Sequence, residues 1–169
     1  MESDSSENPI LLAMNAEQVL YRMKLSPNPP QEICAYVGYR RHTDWLWGTN
    51  YEKYVDTMRF GDEIVQNLAY FDPTPLIKNS ILNFDVACHL IQYICFQKLQ
   101  VDLSEYPIWI SLPSDVKVPI PIEHTHDYTF CENIFQNDHA YQQVQDQFQD
   151  QLNSLEIRFF DNAKTQWFE

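Results

Sequence analysis

Residues 8–25 read NPILLAMNAEQVLYRMKL, and how they fold decides the class of the chain. Leu12, Ala16, Val19, Leu20 and Met23 recur at three- and four-residue spacing, which is the period of one helix face. Asn8 can cap a helix and Pro9 suits its first turn. Ser26-Pro27-Asn28-Pro29-Pro30 then excludes further helix, because a proline pushes the residue before it out of the helical region. The reading is a helix from Pro9 to Leu25.

Working outward, Pro30 to Val37 predicts a second, shorter helix, and Asp56–Tyr70 a third in two pieces divided at Gly61. Thr74 and Pro75 read as the cap and first turn of a helix reaching about Gln100, with an interruption near Asn83. Its residues Leu76, Ile81, Val86, Leu90, Tyr93, Ile94 and Phe96 are apolar almost all round, the mark of a central core helix. Thr129-Phe130-Cys131-Glu132 has the capping-box spacing. Tyr141, Val144, Phe148, Leu152, Leu155 and Phe159 stripe a last helix over Asp138–Phe160. Between these lies a different pattern. Tyr106–Leu112 is rich in β-formers, and Val116, Val118, Ile120 and Ile122 alternate with Lys117, Pro119, Pro121 and Glu123. Pro113-Ser114-Asp115 can turn between the two. Pro119 and Pro121 share parity, so one side of the second strand lacks N–H donors and should be a sheet edge. The expected fold is mainly α: a compact helical domain of about five to six helices with a small β-hairpin. Residues 1–8 are expected to be a flexible acidic tail and 9–169 a single globular helical domain.

Composition narrows the function classes. The 169 residues are 44% hydrophobic and 14% aromatic, enough apolar area for a core without metal or disulfide staples. Only three glycines occur, at Gly38, Gly48 and Gly61, where average usage gives roughly twelve. Phosphate-cradling loops need several glycines close together, so P-loop and dinucleotide-binding readings are disfavoured, as is a many-turned β-sandwich. The first nine residues carry three acids and no base, the wrong sign for a secretion signal. No apolar run approaches a membrane span. A cytoplasmic or nuclear protein with reduced cysteines is expected, with Cys88 and Cys95 as buried thiols. The formal charge of −13 argues against binding nucleic acid directly or an anionic membrane. It favours another protein as partner, a basic one included.

Three segments stand out. Residues 33–60 hold four bases against three acids, together with six Tyr and Trp residues, on an otherwise acidic chain. Tyr, Trp and Arg dominate binding hot spots, which makes Tyr36, Tyr39, Arg40, Arg41, Trp45, Trp47 and Tyr51 the candidate partner-binding residues. The bland alternative is that the tryptophans anchor a loop and the arginines pair internally. Lys117, Val118, Ile120 and Ile122 are candidates for edge-strand pairing. His124, His126 and Cys131 could hold a metal or form a Cys/His centre, yet their spacing matches no zinc signature, so no metal and no cofactor is expected. Finally, Trp167-Phe168 near the C-terminus should fold back on the core or dock elsewhere.

The expected function is a non-enzymatic protein–protein interaction module, a subunit or adaptor of an intracellular assembly. Two alternatives stay open. One is an acidic inhibitor, a nucleic-acid mimic that blocks a basic nucleic-acid-handling protein. The other is a metal-dependent or Cys/His enzyme centred on His124, His126 and Cys131.

Overall fold

A computed structural model describes residues 7–40, 58–66, 68–121 and 128–168. It overturns the mainly helical expectation. Among the described residues there are twelve strands in three sheets and three α-helices. The first sheet runs in the order β12 (Ile157–Asp161), β9 (Ile108–Leu112), β1 (Ile10–Met14), β2 (Gln18–Met23), β3 (Gln31–Cys34). The second is β5 (Met58–Phe60), β4 (Tyr36–Arg40), β6 (Phe71–Pro75), all antiparallel. The third is β11 (Tyr128–Asn133), β10 (Lys117–Pro121), β8 (Ile81–Leu82), β7 (Ile77–Lys78). The helices are α1 (Asp62–Gln66), α2 (Phe84–Tyr93) and α3 (Asp138–Leu152).

The stretch read as the first helix is an antiparallel hairpin, β1 paired with β2. Asn15 makes the turn: its side-chain oxygen accepts from the N–H groups of Glu17 and Gln18 at 2.8 and 2.9 Å. Asn8 caps no helix; it accepts from the Leu25 N–H across the open end of the hairpin. Period two accounts for the burial. Ile10, Leu12, Met14, Val19 and Tyr21 all point into the core. Leu11 is buried as well, because β1 is covered on both faces, and a strand covered on both faces loses its polar alternation. Parallel neighbours extend the inner face: Leu12 lies beside Ile110, and Ile110 beside Phe159.

Other expected helices also resolve differently. In place of the helix expected over Pro30–Val37 stand β3 and the start of β4, and the capping-box residues Thr129–Glu132 lie within β11. The last helix stops at Leu152 because Asn153 takes a left-handed C-cap conformation with φ 53°. Phe159 then reaches the core from β12 instead. The core helix is real but starts at Asn83, whose side chain caps it by accepting from the Val86 N–H at 3.1 Å. It continues as a π-helical segment, Ile94–Leu99. Both strands of the expected hairpin exist, yet they do not pair with each other: β9 lies between β1 and β12, and β10 lies between β8 and β11.

One hydrophobic core joins the elements. Phe148 of α3 packs edge-on against Phe84 of α2 and Phe159 of β12, at 4.5 and 5.5 Å between ring centres. The scarcity of glycine does not prevent a strand-rich fold, because Asn79, Ser80, Gln100 and Asn153 take the positive-φ positions. Among the described residues only Gly61, at φ 62°, uses glycine's freedom there.

Candidate functional site

The small second sheet carries the described part of the aromatic, basic segment. Strand parity divides the tyrosines. Val37 and Tyr39 face the core, while Tyr36 and Gly38 face outward. Helix α1 closes onto that outer face: a Cβ at Gly38 would stand 3.2 Å from Cγ1 of Ile64 and 3.4 Å from Cβ of Phe71. Arg59, cross-strand from Gly38, lays its guanidinium over the Phe71 ring at 4.7 Å and donates to the Met58 carbonyl at 2.8 Å. Around this closure four large apolar side chains are exposed, interspersed with Asp62, Glu63, Gln66 and Asp72. Tyr36 is 36% exposed, Val65 70%, Leu68 46% and Tyr70 68%. Arg40 pairs through its backbone with Phe71. Arg41, Trp45, Trp47 and Tyr51 lie outside the described residues, in the segment that joins β4 to β5.

Tyr39 turns inward, and its hydroxyl lies 2.7 Å from Nδ1 of His89 on α2, with the rings edge to face. Burial pushes the His89 pKa below its ordinary value, opposed by the nearby Asp85 carboxylate. The neutral imidazole can therefore accept the tyrosine hydroxyl.

The other candidates are placed as follows. Lys117 is paired on both sides: its N–H donates to the Ser80 carbonyl at 2.8 Å, and across β10 it faces Asn133. Val118 is fully buried, and Ile120 pairs through its backbone with Phe130. The strand is thus interior at its start. It opens on the β8 side only beyond Lys117, where Pro119 lacks an N–H, so the proline argument holds locally. A cleft of about 540 Å³ lies there, lined by Pro75, Ile81, Leu82, Phe84 and Pro119 among others. Ile122, His124 and His126 lie outside the described residues. Cys131 is exposed in β11. Among the described residues no group of three His, Cys, Asp or Glu side chains is placed to hold a metal. Cys88 and Cys95 are buried, and burial pushes both thiols up, Cys95 to about 12, so neither is a nucleophile near neutral pH.

Trp167 and Phe168 do fold back. They lie over the outer face of the first sheet, where Trp167 meets Phe160 at 5.2 Å and Trp109 at 6.4 Å between ring centres. Arg22 donates to the Trp167 carbonyl at 3.2 Å, and the Ser111 and Thr165 hydroxyls lie 3.3 Å apart. The helical reading passed over Arg22 and Lys24 on this face. Their signal was spacing: two residues apart, they share a side of a strand but not of a helix.

Among the described residues no helix is long and apolar enough to cross a membrane. No family model matches the chain, and no curated protein matches it in sequence.

Proposed function

We propose that the protein is a non-enzymatic interaction module whose partner docks on the outer face of the β5-β4-β6 sheet and α1. The observation that carries this reading is the share of the exposed large apolar side chains found there. Of the eight large hydrophobic side chains exposed among the described residues, Tyr36, Val65, Leu68 and Tyr70 belong to this one unit. Exposed apolar side chains gathered on one small element mark interaction sites, whereas scattered ones are ordinary. The segment 41–57, with its Arg and Trp residues, is tethered to the same sheet at both ends. Its composition supplies the side chains that dominate hot spots.

The test separates binding from folding. Val65→Ser with Tyr70→Ser removes exposed apolar area and should change stability by no more than about 0.5 kcal/mol per site. The same double variant should lose a partner captured from the native host and rebuilt from purified chains. Ile64→Ala, at a buried position, should instead lower stability by about 2–4 kcal/mol. A double variant that keeps its partner at the wild-type level, or a wild-type chain that captures none, overturns the proposal.

A further inference from the structure

The outer face of the first sheet gathers cations on a molecule of net charge −13. The register lines up Arg158, Trp109, Leu11 and Arg22 across β12, β9, β1 and β2. Lys24 lies just beyond Arg22 on the same side, its Nζ 5.2 Å from the centre of the Trp109 ring. The Arg22 guanidinium sits 5.7 Å from the Phe168 ring centre. Arg158 lies 5.8 Å from the Trp109 ring centre and is paired with Glu156. Arg22 and Lys24 have no carboxylate partner among the described residues, although the chain holds 24 acids and 11 bases. Two donors on this face are buried and unbonded: Nε of Arg22 and the indole Nε1 of Trp109. Buried donors are nearly always bonded, so each one left over calls for an acceptor.

We propose that this face is a binding site for a carboxylate carried beside an apolar or aromatic group. The carboxylate sits between Lys24 and Arg22 at the edge of Trp109. One oxygen accepts from the accessible part of the Arg22 guanidinium, and Lys24 supplies the second charge-assisted bond. The flanking apolar group lies against the partly exposed rings of Trp109, Trp167 and Phe168. A singly charged acid suits the site better than a doubly charged phosphate, because every additional negative charge meets the repulsion of the whole molecule. The carboxylate can belong to a small organic acid or to an acidic peptide segment. This site is distinct from the docking surface proposed above and stands without it.

The experiment titrates the full chain, labelled with ¹⁵N at tryptophan, with four probes. They are phenylacetate, the blocked peptide acetyl-Phe-Glu-Leu-Asp-Phe-amide, the neutral isostere phenylacetamide, and inorganic phosphate. Trp109→Phe assigns the Trp109 indole N–H signal. That signal should move on adding phenylacetate, the peptide, or both, and which of them moves it identifies the source of the carboxylate. Lys24 is exposed, so Lys24→Gln keeps the fold intact, and it should weaken binding about tenfold or more. Arg22→Gln should do the same, with melting measured alongside. Lys117→Gln, which removes an equal charge from the third sheet, should leave binding within about twofold. The proposal fails if neither carboxylate binds by millimolar concentration. It also fails if phenylacetamide or phosphate binds equally well, or if Lys117→Gln weakens binding as much as Lys24→Gln.

Discussion

At Gly38 the fold admits a hydrogen and little more. Alanine there needs Ile64, whose Cγ1 lies 3.2 Å from the ideal Cβ, to give way by a few tenths of an ångström. Overpacking of this kind costs about 1–3 kcal/mol, against about 0.4–1 kcal/mol returned by a stiffer unfolded chain. Gly38→Ala should therefore lose about 1 kcal/mol in denaturant unfolding, and less in an Ile64→Ala background, where the obstructing atoms are gone. Equal losses in both backgrounds would show that the crowding is not the cause. His89 gives a pH dependence. Its folded pKa lies below the unfolded value of about 6.5, so the unfolded chain binds more protons as the pH falls through that range. The stability from its neutral form is present above about pH 6.5 and is lost progressively below it. Thermal melts between pH 7 and 5 should show the decline, and His89→Asn, with no titrating group, should flatten it.

Helix α3 guards a sheet edge. The Tyr141 hydroxyl accepts from the Phe159 N–H at 3.0 Å and donates to the Phe159 carbonyl at 3.1 Å. Gln145 bonds the Ile157 carbonyl at 2.5 Å, and Gln149 the Leu155 carbonyl at 3.3 Å. An unprotected edge strand is a template for pairing with another chain. Tyr141→Phe keeps the ring but orphans both Phe159 groups, so it should cost about 1–3 kcal/mol. It should also raise self-association, read by sedimentation; a variant that associates no more than the wild type would mean the glutamines suffice. The Gln-rich face of this helix reads in sequence as solvated surface, and half of that reading misses its work, since side chains that reach a strand's backbone carry no periodic signal.

Across the molecule, the C-terminal residues complete the first sheet. Leu11 is 2% exposed and Ser111 0%, on the face that Thr165, Trp167 and Phe168 cover. Trp167→Ala should lower stability by about 2–3 kcal/mol, below the range for a fully buried Trp because Trp167 is only partly enclosed. An unchanged melting temperature would mean that the covering segment contributes little. The net charge of −13 sets a second expectation. Duplex DNA should not bind at about 150 mM salt, because no phosphate is neutralised without repulsion from the rest of the chain. Micromolar affinity with a steep salt slope would contradict it.

Features that depend on residue type and near neighbours were legible in the sequence. They include the apolar core helix beyond Asn83, though not its start, the stripe of α3 as far as Leu152, the buried Cys88 and Cys95, the strands at Ile108 and Lys117, and the folding back of Trp167. Residues 10–14 were not legible. Five successive apolar residues satisfy a buried helix face and a doubly covered strand equally well. What selects the strand is pairing with β9, about a hundred residues along the chain, together with the cover of the C-terminal segment on the other face. The same holds for the candidate site. Spaced by three, Tyr36 and Tyr39 share a helix face, but as strand residues they point to opposite sides, one to the surface and one to His89. Local spacing cannot choose between those geometries, because the free energy that separates them comes from strands and rings supplied by distant parts of the chain.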